Sequence, residues 1–187
     1  HYVRIKADNR LEADGTLRGT FTLTAEGQSD SNIRRIFTTG FQSEWKSTME
    51  RQLLAISPKA RLLSVDYGKN PKDYQAAPIK ITFRYEIPDY ALKGEGEMFF
   101  RPMVMNNLYN QVRSYMWIDT SVENRKYGFK DACSRLVELD ETVQLPAGYK
   151  LVSAVKDETM QGVGADFEGS LVQKGNKVLL HNRSALK

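Results

Sequence analysis

The sequence predicts a mainly β chain, an antiparallel β-sandwich, with one substantial amphipathic helix at about residues 30–56. Three observations predict it. Apolar and polar residues alternate in several stretches of strand length, most cleanly at Ile79–Ile87. Turn signals rich in Gly, Pro and Asn separate these stretches. One segment changes period: Ile33, Phe37, Phe41, Trp45, Met49 and Leu53 recur at every fourth residue, the stripe of a helix with one face in a core. Strands that follow one another through tight turns favour antiparallel pairing.

Tyr2–Ala7 alternates as a half-buried strand does. Ala13–Gly15 is a turn signal, and alternation resumes over Thr16–Ala25 through Leu17, Phe21 and Leu23, which completes a hairpin. The helix follows. Asp30 or Ser31 is placed to cap it by accepting a hydrogen bond from a free backbone N–H. Ile36, Leu54 and Ile56 lie beside the stripe. Gly40 lies within it, costs about 1 kcal/mol relative to Ala, and offers a place to break the helix in two. Ser57–Pro58 ends it, because Pro disfavours helical geometry in the residue before it.

Arg61–Tyr67 reads as a short strand and Ile79–Ile87 as a longer one. Leu92–Arg101 is a further strand candidate, with Gly94 and Gly96 suited to a bulge. Pro102–Asp131 has two readings: a short helix with Leu108, Val112, Tyr115 and Met116 on one face, or an irregular aromatic-rich crossing segment. Alternation returns at Leu136–Leu145, where Glu141 interrupts the apolar set of Val137, Leu139, Val143 and Leu145. Pro146–Gly148 turns the chain into Tyr149–Val155. Ala165–Gln173 and Lys177–Arg183 flank the tight turn Lys174–Asn176, for a total of about nine strands.

The 187 residues suit one β-sandwich domain over 1–187, or two lobes, an α+β lobe at 1–101 and a β lobe at 102–187. The chain opens directly into a strand without a charged-then-apolar leader, as expected of a fragment of a larger protein. Cys133 is the single cysteine, so no internal disulfide forms. Lys and Arg number 27 against 23 for Asp and Glu, a net charge of +4. Arg34–Arg35, Arg101, Arg113, Arg125–Lys126 and Lys130 are dispersed, which reads as solvated surface and argues against a nucleic-acid partner. No apolar run approaches the ~18–20 residues of a membrane span, so no membrane insertion is expected.

Two blocks carry a family likeness. One is "LEADGTLRGTFTLTAEGQ" at Leu11–Gln28, followed by a helix containing Arg35. The other is "RKYGFKDACSRLVELDETVQLPAGYKL" at Arg125–Leu151. Together they resemble the C-terminal domain of unknown function that follows the transglutaminase-like domain in envelope-associated and secreted proteins of Bacteroidota. That family shows an Arg-x-Tyr-Pro step, a strand, then a Leu-Pro-x-Gly-Tyr turn. Gly128 stands here where proline is usual, and Pro102–Ser121 also departs from the pattern. The resemblance implies a jelly-roll-like β-sandwich accessory domain without catalytic residues of its own. It also implies a transglutaminase-like domain of the parent protein as partner, and a periplasmic or cell-surface location.

Transglutaminase-type chemistry needs a Cys nucleophile, a His base and an Asp that orients the His, in that chain order. After Cys133 the only histidine is His181, and no Asp follows it, since Asp166 is the last. The order fails, and a non-enzyme is expected. His1 and His181 are far apart in sequence and the acidic pairs Asp140–Glu141 and Asp157–Glu158 lack ligand spacing, so neither metal nor cofactor is expected. Gly162–Gly169 is flanked by strands rather than by a strand and a helix, which fits a hairpin loop and not a phosphate cradle.

Two interaction readings remain. In the first the chain packs on its catalytic neighbour through Tyr109, Tyr115, Met116 and Trp117, against the competing reading of these as ordinary core. In the second it is a glycan- or protein-binding module of the envelope, with Trp117 and Tyr127 as stacking platforms and Trp45 left in the core.

Overall fold

The computed structural model describes residues 1–76, 78–106, 126, 133–152 and 157–187. The chain is mainly β, as its sequence predicts. The described strands are β1 (Tyr2–Leu11), β2 (Leu17–Glu26), β3 (Arg61–Asp66), β4 (Ile79–Ile87), β5 (Leu92–Lys93), β6 (Met98–Phe99), β7 (Arg135–Gln144), β8 (Glu158–Gln161), β9 (Ala165–Lys174) and β10 (Lys177–Leu186). Helices α1 (Gln28–Thr38) and α2 (Trp45–Leu54) lie between β2 and β3. Eight strands form one sheet in the order β3-β4-β2-β1-β7-β10-β9-β8, and β5 pairs with β6 in a separate hairpin. Strands from before and after residue 102 therefore share one sheet.

The sheet is mixed, not purely antiparallel. β1 and β7 run parallel, with Val3 beside Val137 and Asn9 beside Val143. The reason is the position of β1 in the middle of the sheet. Its hairpin partner β2 occupies one edge antiparallel. The other edge is filled by a strand that arrives after a long crossing, and such a connection is what a parallel neighbour requires.

Register carries one set of side chains onto one face. Ile5 lies beside Leu23 and Leu139, Ala7 beside Phe21 and Glu141, and Phe21 beside Phe83. This face is dry: Ile5, Phe21, Phe83, Tyr85 and Leu139 are buried. Phe21 stacks on Phe83 with ring centroids 4.3 Å apart. The other face is wet and carries Arg10, Arg18 and Arg84 among its exposed residues. The helices, residues of the β5–β6 hairpin and a 3-10 turn at Met103–Met105 share one core with the dry face. The layering is sandwich-like, with a small second β layer.

The single helix expected at 30–56 is two. A 3-10 turn at Gln42–Glu44 separates them. Thr38 and Thr39 turn their hydroxyls back to donate to the Arg35 carbonyl, and Phe41 takes an extended backbone. Phe41 consequently leaves the stripe and is exposed, whereas Phe37, Trp45, Met49 and Leu53 stay buried. Phe37, Trp45 and Tyr67 meet edge to face, and the Trp45 indole N–H donates to the Phe37 carbonyl at 3.2 Å. The break keeps the aromatic positions in one cluster by folding the second helix back.

Asp30 does not cap α1, whose N-cap position is Gly27, and neither Asp30 nor Ser31 makes a side-chain cap there. Asp30 instead accepts from the Ile79 backbone N–H at 2.6 Å and pairs with Arg34 at 2.6 Å. Arg34, read from sequence as solvated, is buried, and also donates to the Pro71 carbonyl at 3.1 Å. Three strand boundaries also change. Leu92–Arg101 is the β5–β6 hairpin, turned through Gly96 at positive φ. Residues 149–152 form no strand, and 153–156 lie outside the described residues. β8 is an added strand that the sequence reading did not place.

Candidate functional site: an apolar groove and a buried carboxyl

The described part of the chain ends for a stretch at Asn106 and resumes fully at Cys133. Tyr109, Tyr115, Met116, Trp117 and Tyr127, the surface expected from sequence, all lie outside the described residues. Cys133 is half-buried and precedes β7. His181 pairs through Nδ1 with Asp140 Oδ1 at 2.7 Å. The strand between Arg135 and Asp140 is roughly 17 Å long at about 3.4 Å per residue, so the fold does not bring Cys133 and His181 together. Among the described residues no group of three or more His, Cys, Asp or Glu is placed to hold a metal.

The structure assembles a different surface. The β5–β6 hairpin and the turn at Pro146–Gly148 form the two walls of a groove of about 720 Å³. Met98, Phe99 and Phe100 line one wall, Tyr149, Leu151 and Val152 the other, with Leu11 and Leu145 between them. Gly148 turns the chain at φ +85°, and the Leu151 N–H then donates to Gln173 Oε1 at 2.7 Å, which fixes the second wall. Leu92, Phe99 and Val152 are 74%, 61% and 93% exposed, so this end of the molecule presents apolar side chains to solvent. Among the described residues Glu97 and Lys150 are the charged ones of the lining.

Behind the groove lies Glu141. Phe100 and Leu151 also line a cavity of about 110 Å³ that reaches the Glu141 side chain, with Leu171, Val178 and Leu180 as further walls. Glu141 is only 2% exposed. One carboxyl oxygen accepts from Asn9 Nδ2 at 2.7 Å and the other from the Val104 backbone N–H at 3.0 Å. Burial raises its pKa, and the hydrogen bonds from Val104 and Asn9 oppose that rise without cancelling it. The Tyr85 hydroxyl donates to Asn9 Oδ1 from across β2. Burial, and after it the Glu141 charge, pushes this phenol well up. Gly19 lies between Asn9 and Tyr85 in the register, and a Cβ there would sit 2.0 Å from Asn9 Oδ1. The missing side chain is what lets the three polar groups join.

This network fastens the Met103–Met105 turn to the middle of the sheet, and so positions the chain that forms one groove wall. Chemically the groove can bury apolar side chains of a partner. Among the described residues its lining contains no Ser, Thr, Cys or His that would act as a nucleophile or base. One signal in the sequence pointed here: Glu141 stood out on an apolar face. No family model, no curated protein and no solved structure matches the chain.

Proposed function

We propose that this chain is a non-catalytic accessory domain that packs its apolar groove on a transglutaminase-like catalytic domain of the same protein, at the cell envelope. The observation that carries this reading is the groove with its exposed Phe99 and Val152, and the exposed Leu92 that pairs with Phe99 in the hairpin. Apolar surface gathered in one place, as here, marks interaction sites. The two blocks that resemble the transglutaminase-associated domain also supply groove residues, Leu11 from the first and Leu145–Leu151 from the second. Among the described residues no helix is long and apolar enough to cross a membrane.

The test is capture of the parent's transglutaminase-like domain, supplied in trans, by the purified chain. Salt-tolerant capture is expected, because apolar contact is not screened. Phe99→Asp should abolish it while leaving the thermal unfolding of the isolated chain unchanged. No capture by the wild-type chain, or equal capture by the variant, overturns the proposal.

A further inference from the structure

Arg10, Arg18, Arg84 and Lys177 are scattered along the sequence, and the sheet gathers them. We propose that they form a binding site for an acidic oligosaccharide on the wet face, with Asp8 at its centre. On that face Arg10 lies beside Arg18 on β2 and Gln144 on β7, and Gln144 lies beside Lys177 on β10. The next row inward runs Thr20, Asp8, Thr142, with Arg84 beside Thr20. Long cationic side chains thus border a row of short polar ones. The result is an open depression of about 410 Å³. From β4 to β10 it crosses four strand spacings, roughly 19 Å at about 4.8 Å each, the reach of a short oligosaccharide.

The charges are available. Arg18 is held at 3.1 Å by Glu86 and Arg10 at 3.3 Å by Glu12, yet both remain more than half exposed. Among the described residues, Arg84 and Lys177 make no ion pair, and both are exposed. Among the described residues Asp8 is the one carboxylate of the lining.

Asp8 decides the class of ligand. A dense polyanion would meet it head-on, whereas a hydroxyl can donate to it. Sulfate or carboxylate groups spaced by hydroxyl-bearing rings satisfy the cations and Asp8 together, and Thr20, Thr142 and Gln144 offer further hydrogen bonds. Nucleic acid fits less well. Among the described residues Tyr85 is the only aromatic of the lining, and it is fully buried, so none of their rings is free to stack a base. The depression and the apolar groove use different residues and can be occupied together.

The test is calorimetric titration of the chain with a sulfated hexasaccharide, an oligouronate, a neutral hexasaccharide and a linear oligophosphate of matched charge. Binding of the sulfated sugar or the oligouronate is expected, weakening as salt rises, with none to the neutral sugar and weaker binding of the oligophosphate. The double variant Arg84→Ser/Lys177→Ser should lose roughly tenfold in affinity. Its melting temperature should be unchanged, since both side chains are exposed and neither is ion-paired among the described residues. The proposal is overturned if neither acidic sugar binds, if the oligophosphate binds as tightly, or if the folded double variant binds as wild type does.

Discussion

Glu141→Gln tests whether a buried carboxyl in the sheet acts as the structure implies. In the wild type this group is 2% exposed and accepts one hydrogen bond on each oxygen. Its pKa is raised by burial. A raised folded-state value means that the folded protein holds the proton more tightly than the unfolded chain does. The associated stability is complete below the unfolded value, about pH 4.3. It is lost as pH rises through the folded value, at no more than about 1.4 kcal/mol per pH unit for one proton. Glutamine does not titrate, so the variant lacks this slope. Glutamine also turns an NH2 toward either Asn9 Nδ2 or the Val104 N–H, and so leaves one buried donor without an acceptor. That costs roughly 1–3 kcal/mol. The variant should therefore be less stable than wild type near pH 4, and the gap should narrow toward neutral pH. Asp14, Asp89 and Asp166 have lowered pKa values and act in the opposite sense at acid pH, but they cancel in the difference between the two proteins. Urea unfolding followed by fluorescence, across about pH 4 to 8, measures the gap. A gap that stays constant over that range would refute the assignment of a desolvated, titrating carboxyl at this place.

The neighbouring positions give further tests. Gly19→Ala places a Cβ 2.0 Å from Asn9 Oδ1 and 2.4 Å from the Asp8 carbonyl, so it should destabilise by about 1–3 kcal/mol and lower the thermal midpoint. Arg34→Ala removes the partner of Asp30 at a site where the Arg34 side chain is 2% exposed, and should cost roughly 3–5 kcal/mol in chemical denaturation. Phe21→Ala empties one half of the stacked Phe21–Phe83 pair and should cost about 3–5 kcal/mol by the same measurement. Phe99→Asp and Val152→Asp, by contrast, should stay within about 0.5 kcal/mol of wild type, because both side chains already face solvent.

Elements whose signal is local were legible in the order of residues alone. Period-2 alternation located the strand at Ile79–Ile87, where the structure has β4 with the same bounds, and it located most of β1, β2, β7, β9 and β10. The four-residue stripe placed Phe37, Trp45, Met49 and Leu53 in the core, and Gly40 marked where the helix breaks. Glu141 was visible as an exception on its face, though its partners were not.

Features that depend on contacts distant along the chain were not legible there, because packing sets them. The parallel pairing of β1 with β7 joins residues 134 apart, as Arg4 and Glu138 are, and no local pattern encodes it. Arg34 reads as surface because a charged residue is solvated by default. It is buried because Asp30 and the Pro71 carbonyl come to meet it. Leu11, Phe99 and Leu151 form one groove only after three separate segments converge. Arg10, Arg18, Arg84 and Lys177 reach one depression only through the register of β1, β2, β4 and β10. Alternation sets which side chains share a face of a strand, but strand order and register set which of them become neighbours, and a site is made of neighbours.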